Sequence, residues 1–404
     1  MKIAFIVYAF PKLSETFILN QITGLIDRGH DVEIFAQINP REKKIHSDVK
    51  KYGLMGKIRV FHTPKDKLQR LLKALFLLTL NFHKDPVKIL KSLNFLCYRR
   101  EALSLKLFYT CVFFLNNGFP KKDFDIIYCH FGPNGIVGTY LKDIGVSGRL
   151  VTVFHGSDMS KYLAENGDRV YRNLLSKGDL FLPVSNHWKK KLISLGCNEK
   201  KMRVHHMGIS RKKFKFVGSE RSHDKGVVFL TVGRLTEEKG YDISLKAFAK
   251  LKGESGKNLY LIVGEGSERD KLVKLTKQLR ISDCVKFLGE LTQDEVSGVY
   301  LRANIFLLPS IREGIPVSLM EAQSSGLPVI TTACGGIPEL VTDGESGFLV
   351  PIGNVDALAE KMEYLIDHPD IRIQMGLCGS EIVAQQFDID KLNDKLVELL
   401  SQIL

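Results

Sequence analysis

Two carboxylates, Glu313 and Glu321, stand eight residues apart in a stretch that follows an apolar run. A carboxylate accepts hydrogen bonds from hydroxyl groups, so two of them near the end of a strand suit the hydroxyls of a sugar and a ribose. The alternative is that Glu321 is an ordinary exposed helix residue and Glu313 a loop charge, because short motifs also arise by chance. The first interpretation predicts a ligand that carries several hydroxyl groups.

The residues between these carboxylates predict a turn followed by a helix. Gly314 permits a tight backbone turn, and Pro316 suits the first position of a helix. The opening amides of such a helix, near Ser318 and Leu319, lack intrahelical acceptors and carry a partial charge of about +0.5. A diphosphate binds well at a helix start of this kind. An anion cradle beside hydroxyl-binding carboxylates predicts a nucleotide-sugar site.

Two cations follow the first predicted strand of the second half of the chain. Arg234 comes directly after Gly233, and Lys239 comes five residues later. A guanidinium and an ammonium in one crevice would stabilise a diphosphate that gains charge as its bond to a sugar breaks. The alternative is that Lys239 pairs at the surface with a neighbouring carboxylate, Glu237 or Glu238.

Polar side chains also follow predicted strands in the first half. His155 opens the sequence His-Gly-Ser-Asp, which ends at Asp158, and His130 ends the preceding strand. An imidazole at the carboxyl end of a strand can exchange hydrogen bonds with a reacting sugar. The alternative is a buried histidine that only supports the fold.

The first loop offers two hydroxyl groups, on Ser14 and Thr16. Ser14 is predicted to cap the following helix by accepting an amide hydrogen bond. The hydroxyls and amides of this loop could equally contact a phosphate or an acceptor. The residue types leave both interpretations open.

Short apolar runs alternate with helix-like segments along the chain, which predicts an α/β fold with parallel sheets covered on both faces. Seven strands are predicted up to residue 210, the last at residues 203–207, and six after it. In doubly wound sheets, ligands bind beyond the carboxyl ends of the strands, where most of these polar residues lie.

The same pattern predicts the domains. Two Rossmann-like domains are expected at residues 1–210 and 211–385, joined by a linker at 208–225. A helix at residues 388–400, within a C-terminal segment 386–404, has one apolar face, so we expect it to pack back on the first domain.

The composition bounds the protein class. With 404 residues, 44% of them hydrophobic, the chain is neither disordered nor a small disulfide scaffold. Seven scattered cysteines predict free thiols in a reducing compartment. The longest apolar run has 12 residues, well below the ~20 that cross a bilayer, so a cytoplasmic location is predicted.

The net charge of +13 is unevenly distributed. Residues 1–210 hold 34 Lys and Arg against 17 Asp and Glu, whereas the remainder holds 24 against 28. Within residues 59–122 there are 13 basic and 3 acidic residues, which alternate with apolar clusters at helical spacing. This basic amphipathic region predicts a peripheral contact with an anionic membrane surface, and the alternative is a solvated charged face.

Several other site classes find no support. Gly264 and Gly266 follow a predicted strand, but Arg269 replaces the third glycine of a dinucleotide fingerprint. The chain has no phosphate-binding P-loop motif and no His-Glu-x-x-His zinc motif, and its two Asp-x-Asp pairs match chance. A mechanism without metal or cofactor is therefore expected.

Taken together, the motifs resemble the GT-B-fold glycosyltransferases of family four over essentially the whole chain. The matching motifs are Glu313-x7-Glu321, Gly233-Arg234-Leu235 with Glu238-Lys239-Gly240, His155-Gly156-Ser157-Asp158, and Gly335-Gly336-Ile337-Pro338-Glu339. The opening Phe-Pro-x-x-Ser-Glu-Thr-Phe resembles the branch that builds bacterial exopolysaccharides such as colanic acid and amylovoran. The first loop lacks the Gly-Gly pair of many members.

The resemblance implies two domains that face each other across a cleft, and it implies roles for individual residues. Arg234 and Lys239 would hold the diphosphate, Glu321 the ribose, and Glu313 the donor sugar. His155 would approach that sugar, and the backbone around Phe287 would meet the base. The backbone beside Glu313 would line the donor site at Gly314, Ile315, Pro316, Val317, Ser318 and Leu319.

The implied reaction moves a hexose from a nucleoside diphosphate sugar, expected to be a UDP-sugar, to a lipid-linked saccharide acceptor. The family retains anomeric configuration without a metal. Three other classes are alternatives: a GT-B-like sugar-nucleotide epimerase or phosphorylase, a nicotinamide dehydrogenase, and a nucleic-acid-binding module. The last is disfavoured because nothing resembles an aromatic stacking platform.

Overall fold

The computed structural model describes residues 1–40, 44–117, 124–216, 226–251 and 258–404. The chain divides into a first unit, Met1–His205 with Asn393–Leu404, and a second unit, His206–Leu392. Residues 217–225 of the predicted linker and 118–122 of the basic region lie outside the described residues.

The described part of the first unit contains a parallel sheet of six strands in the order β3-β2-β1-β4-β5-β6. The strands are β1 (Lys2–Ala9), β2 (Asp31–Ile38), β3 (Ile58–Val60), β4 (Ile126–His130), β5 (Arg149–Phe154) and β6 (Leu180–Pro183). The helices are α1 (Thr16–Asp27), α2 (Ser47–Lys51), α3 (Lys67–Asn81), α4 (Pro86–Ser92), α5 (Phe95–Leu103), α6 (Lys106–Asn116), α7 (Gly132–Asp143), α8 (Lys161–Asn166), α9 (Arg172–Lys177) and α10 (Asn186–Ser194).

The seventh strand predicted for the first half, at residues 203–207, is wrong. The segment is extended, and the amides of Arg203 and His205 donate to the carbonyls of Phe181 and Pro183 in β6. Only Met202 forms an isolated bridge there, with Phe181. The segment therefore lies along the edge of the sheet without becoming a strand.

The described part of the second unit repeats the architecture, with six parallel strands in the order β12-β11-β10-β7-β8-β9. These are β7 (Val228–Val232), β8 (Leu259–Val263), β9 (Val285–Gly289), β10 (Ile305–Leu308), β11 (Val329–Thr332) and β12 (Gly347–Val350). The helices are α11 (Tyr241–Lys250), α12 (Arg269–Gln278), α13 (Gln293–Tyr300), α14 (Val317–Ser324), α15 (Val355–Asp367), α16 (Pro369–Gln386) and α17 (Ile389–Ser401). The predicted α/β class with two doubly wound parallel sheets is confirmed.

The strands of the second sheet are apolar on both faces because each face has its own core. Along β10, Phe306 and Leu308 join one hydrophobic cluster, whereas Ile305 and Leu307 join the other. Successive side chains of a strand point to opposite faces, so a strand between two helical layers needs a continuous apolar run.

The last helix, α17, packs on the first unit from Asn393 onward, as expected from its apolar face. The side-chain amide of Asn393 donates to the carbonyl of Asn20 at 3.4 Å, and Asp394 forms an ion pair with Arg28 at 2.7 Å. None of the helices in the described residues is long and apolar enough to cross a membrane.

In both sheets the strand order reverses direction once, between β1 and β4 in the first unit and between β7 and β10 in the second. Loops that leave the two strands at such a point diverge to opposite faces and open a crevice. The candidate residues of each unit are best described from these two points.

Candidate functional site

In the second unit, the loops after β7 and β10 are bound to each other. The amide of Ile311 donates to the carbonyl of Glu238 at 2.8 Å. Gly240 has a positive φ of 66°, and a Cβ there would lie 2.2 Å from the carbonyl oxygen of Pro309. Only glycine allows this approach, which brings the turn that carries Lys239 against the loop that carries Glu313.

Lys239 and Glu313 form an ion pair across these loops. The Nζ of Lys239 lies 2.6 Å from Oε1 of Glu313, with side chains 17% and 9% exposed. The hydroxyl of Ser310 donates to the same oxygen at 2.7 Å. Lys239 is therefore paired with a carboxylate 74 positions away, and not with its neighbours Glu237 or Glu238.

This pairing holds the ammonium in place without using all its hydrogens. A lysine ammonium has three N–H donors, and Glu313 accepts from one of them. Two remain for an anionic ligand. A Cβ built on Gly233 would lie 3.8 Å from Cε of Lys239, so the lysine stem crosses the end of β7.

Arg234 directly follows Gly233 at the same strand end and is exposed. Within the part of the chain that the structure describes, its guanidinium has no hydrogen bond or ion pair. The charge is therefore available to a ligand, and its removal leaves no protein group unpaired.

The turn at Glu313 and Gly314 is held from its other side by the loop after β11. The amide of Gly336 donates to the carbonyl of Gly314 at 2.7 Å. Gly335 has a φ of 57°, and a Cβ there would lie 1.9 Å from the carbonyl oxygen of Glu313. The Gly-Gly motif of the sequence therefore buttresses the backbone that carries Glu313.

Helix α14 begins one residue later than predicted. Pro316 is the residue before the helix and not its first position, and Val317 opens it. The amide of Leu319 donates to the carbonyl of Pro316 at 3.2 Å, so the free opening amides are those of Val317 and Ser318. The prediction of a free amide at Leu319 is wrong. The side chains of Ile315 and Leu319 belong to the core, so only their backbone can face a ligand.

Glu321 lies inside α14 and is only 5% exposed, which rules out the exposed helix position considered as an alternative. Burial raises the pKa of its carboxyl group to about 8, opposed by hydrogen bonds from Tyr300 and Gln293 and by the charge of Lys213. The carboxyl group is therefore mostly protonated at neutral pH in the ligand-free protein.

The hydrogen bonds of Tyr300 fit a protonated Glu321. The Tyr300 hydroxyl lies 3.0 Å from Oε2 of Glu321 and 3.0 Å from the carbonyl oxygen of Ser318. A hydroxyl has one hydrogen, so it can donate fully to only one of these acceptors. When Glu321 is protonated, Tyr300 donates to Ser318 and accepts from the acid, and both contacts are satisfied.

Sequence reasoning did not identify Tyr300, Gln293 or Ser310. Gln293 is 4% exposed and accepts a hydrogen bond from Lys213 at 3.1 Å. Tyr300 and Gln293 belong to α13, far from Glu321 in sequence, and nothing in their local pattern indicates the contact. Ser310 could have been identified, because a serine three residues before Glu313 in the same loop can reach its carboxylate.

Of two other residues predicted to bind the donor, Gly233 directly follows β7 and Phe287 lies in the middle of β9. Gly233 accepts a hydrogen bond from the hydroxyl of Tyr241 at 2.9 Å through its carbonyl oxygen. Phe287 lies within β9, paired in register with Ile262, and its ring packs on the core. Its contact with a base stays a prediction.

In the first unit, His130 and His155 face each other at the ends of β4 and β5. Nδ1 of His130 lies 3.0 Å from Nε2 of His155, so one imidazole donates to the other. The His155 ring contacts the rings of both Phe17 and Phe131, with centroids 4.6 and 4.4 Å away. The two predicted histidines are therefore one cluster.

Both imidazoles are neutral. Burial lowers the pKa of His155 to about 3, and burial with the neighbouring His155 holds the pKa of His130 well below its usual value. The Nε2 atom of His130 is buried and has no hydrogen-bond partner among the described residues. His130 is 0% exposed, so the structure places it behind His155 and not at the surface of the crevice.

Asp158 is placed to organise the loops and not to face a ligand. It is 2% exposed, and its carboxylate accepts hydrogen bonds from the amides of Gly132, His155 and Gly156 at 2.9, 3.0 and 2.8 Å. These contacts tie the loop after β5 to the start of α7. Both carboxylate oxygens already accept hydrogen bonds from backbone amides, and the direct contact of Asp158 with a substrate stays a prediction.

The predicted cap of α1 by Ser14 is wrong. The residue before the helix is Glu15, and it makes no capping hydrogen bond with its side chain. Ser14 is exposed, and Thr16 is the first helical residue. The ligand contact of these two hydroxyls, the other interpretation of the loop, stays a prediction.

Comparison with known protein families matches both halves of the chain. The family described as Glycosyltransferase Family 4 matches residues 14–213, and Glycosyl transferases group 1 matches residues 212–377. Among similar proteins, WcaL of Salmonella typhimurium, a glycosyltransferase assigned to colanic acid biosynthesis, is 36% identical over the full length of both chains. The amylovoran biosynthesis glycosyltransferase AmsK of Erwinia amylovora is 35% identical, again over both full lengths.

Solved structures share the fold at low sequence identity. Anabaena HepE, in complex with UDP and glucose, superposes with a TM-score of 0.76 at 20% identity and covers 99% of each chain. Sucrose-phosphate synthase from Thermosynechococcus elongatus superposes with a TM-score of 0.77 at 19% identity, covering 100% of this chain and 99% of its own.

Proposed function

This chain belongs to the family 4 glycosyltransferases, and on that basis we propose that it transfers a hexose from a nucleoside diphosphate sugar to a saccharide in exopolysaccharide biosynthesis. The observation that carries the donor assignment is the pair of Lys239 and Glu313 at the reversal point of the second sheet. A cation with free N–H groups and a carboxylate meet there, beside the free amides of α14.

We propose that the donor is a UDP-sugar. Support comes from HepE, which shares the fold and was crystallised with UDP and with UDP-glucose. Lys239 and Arg234 would bind the diphosphate, Glu313 a hydroxyl of the sugar, and Glu321 the ribose. Glu321 lies about one turn into α14, so the opening amides of that helix would stand between ribose and sugar, where the diphosphate belongs.

The proposed reaction retains anomeric configuration and needs no metal. Departure of the nucleoside diphosphate leaves an oxocarbenium-like sugar and increases the negative charge on the diphosphate. Fixed positive groups aimed at that charge stabilise the transition state, and the loss of one such contact typically costs about 3 to 4 kcal/mol. Turnover by protein treated with EDTA, and proton NMR of the new anomeric centre, check these two points.

The acceptor is proposed to be a lipid-linked saccharide, reached from the inner face of the cytoplasmic membrane. Support comes from the charge of the chain, because residues 1–210 carry 34 basic against 17 acidic side chains. Basic residues near an anionic leaflet contribute about 1 kcal/mol each to binding.

A thermal-shift screen of nucleoside diphosphates and their sugars tests the donor assignment. A ligand at 100 times its dissociation constant stabilises the folded state by about 2.7 kcal/mol. We expect UDP and its hexose derivatives to stabilise the protein, and Arg234→Ala to abolish most of this shift and to lower turnover about a hundredfold.

The matched control is Lys274→Ala, which removes an exposed positive charge from α12. It should leave both the shift and the turnover unchanged. If no nucleoside diphosphate stabilises the protein, or if Arg234→Ala behaves like Lys274→Ala, the assignment of this site is wrong.

A further inference from the structure

Large apolar side chains are exposed mainly in one part of the first unit. Of 23 such side chains in the described residues, 12 lie within residues 68–103, on or beside α3, α4 and α5. These three helices pack on α6, whose own apolar residues are mostly buried. A concentration of exposed apolar side chains in one region indicates contact with another surface.

Helix α3 is amphipathic, but its apolar stripe faces away from the unit. Six large apolar side chains of α3 are exposed, and five of them follow the spacing of one helix face: Leu68 (66% exposed), Leu71 (50%), Leu72 (59%), Leu75 (53%) and Phe76 (62%). The buried residues of α3 are only Ala74 and Asn81. A helix of a water-soluble domain normally buries its apolar stripe, so α3 has the opposite orientation.

Polar contacts hold α3 in this orientation. Nε of Arg70 donates to the carbonyl oxygen of Pro64 at 2.7 Å. The hydroxyl of Tyr109, on α6, donates to the carbonyl oxygen of Arg70 at 2.8 Å. The inner side of α3 is thus attached by hydrogen bonds. The five exposed apolar side chains of its outer face, called here the α3 stripe, have no core to enter.

The charges around the stripe are positive. Successive helix residues are about 100° apart, which puts Lys67 and Lys73 on opposite borders of the stripe. Neither lysine, nor Lys65 before the helix, has an ion-pair partner among the described residues.

The three carboxylates of residues 59–117 are already in use. Asp66 caps α3, and Asp85 caps α4 and pairs with Lys88. Glu101 is buried and pairs with Lys106 at 2.7 Å. The free charges beside the stripe are therefore cationic, which complements a surface that is anionic outside and apolar within.

We infer that the α3 stripe inserts between the lipids of an anionic bilayer, with Lys67 and Lys73 at the level of the headgroups. Lysine stems extend along apolar surface and keep the ammonium in the polar layer. A helix of this kind lies in the plane of the interface and does not cross the membrane. The inference rests on the membrane location proposed above and names the element that makes the contact.

Flotation with vesicles tests the insertion without any reaction. The vesicles contain either phosphatidylcholine alone or equal parts of phosphatidylcholine and phosphatidylglycerol. We expect the protein to float with the anionic vesicles, and Leu71→Asp with Leu75→Asp to weaken this binding about tenfold or more. Both side chains are exposed, so the thermal midpoint should not change.

The matched control is the double variant Leu301→Asp with Leu377→Asp in the second unit, whose side chains are 42% and 45% exposed. It should float like the parent protein. Phe76→Trp adds a direct probe, because Trp188 is buried and 7% exposed and contributes a constant background. Lipids brominated in their acyl chains should quench the new tryptophan.

Three results would overturn the inference. The first is an absence of flotation with either vesicle, and the second is equal flotation of the parent and the Leu71/Leu75 variant, which means electrostatic binding alone. The third is a dimer in sedimentation that the variant dissociates, with no vesicle binding, which means that a second copy covers the stripe. The UDP thermal shift of the variant is measured in parallel, so a failure of the donor assignment is recognised separately.

Discussion

Replacing Glu321 by glutamine tests whether donor binding removes a proton from a buried carboxyl group. Burial raises the pKa of this group to about 8, so it is mostly protonated at pH 7 before the ligand arrives. Ribose hydroxyls donate hydrogen bonds and favour the carboxylate, so binding lowers this pKa. Below about pH 8 the nucleotide must therefore displace a proton, and its affinity rises with pH until that value and is constant above it.

The size of the effect follows from the pKa. At pH 7, one unit below the pKa, about nine-tenths of the molecules are protonated, and ionisation costs about 1.4 kcal/mol. Affinity should change about tenfold per pH unit between pH 6 and pH 7, and about a hundredfold between pH 6 and pH 9. The Tyr300 hydroxyl, 3.0 Å from the carboxyl group, can turn from Ser318 to the new carboxylate.

Isothermal titration calorimetry with UDP measures the affinity and the number of protons released on binding, when each pH is studied in two buffers that differ in ionisation enthalpy. Glu321→Gln keeps an acceptor oxygen but cannot titrate. The difference between parent and variant therefore excludes any protons that the diphosphate itself takes up or releases. We expect the parent protein to release about 0.9 proton more than the variant at pH 7. If parent and variant show the same pH dependence of affinity, Glu321 does not bind the ribose as a carboxylate.

Three further changes test other contacts. Tyr300→Phe removes the donor to the ionised carboxyl group of Glu321, so the pH above which the UDP affinity becomes constant should rise in the same calorimetry. An unchanged value contradicts the contact. His155→Gln should slow turnover by the same factor at pH 5 and pH 8, because burial lowers the pKa of His155 to about 3 and the imidazole is neutral at both; a factor that varies with pH would show that it titrates in this range. Gly335→Ala should lower the free energy of unfolding, measured in urea, by at least about 1 kcal/mol more than Gly344→Ala. Both glycines have a positive φ, but only a Cβ at Gly335 would meet a backbone oxygen, that of Glu313 at 1.9 Å. Equal losses would mean that the loop after β11 relaxes freely.

Strands buried on both faces could be predicted from the sequence almost to the residue. The apolar run Ile305–Leu308 predicts a strand with the bounds of β10, because a strand between two helical layers must be apolar throughout. Residues 203–207 do not meet this criterion, because only Val204 and Met207 among them are apolar. Two of their amides bond to β6, but the segment stays outside the sheet.

Helix starts were predicted less accurately than helices. Ser14 does not cap α1, and Pro316 precedes α14 instead of opening it. The choice between adjacent residues depends on backbone angles that the loop imposes, and serine or proline fits either position. The shift by one residue decides which amides of α14 are free for an anion.

The order of residues along the chain is enough to show which of them follow each strand, and hence that Arg234, Lys239 and Glu313 belong at one edge of a sheet. The pairing of Lys239 with Glu313, 74 positions away, and the contact of Tyr300 with Glu321 follow only from the folded arrangement. Contacts of this kind depend on the register between elements that are far apart in the chain. The same holds for α3, because helical periodicity predicts an apolar stripe, but only the packing of Arg70, Ala74 and Asn81 against the unit turns that stripe outward.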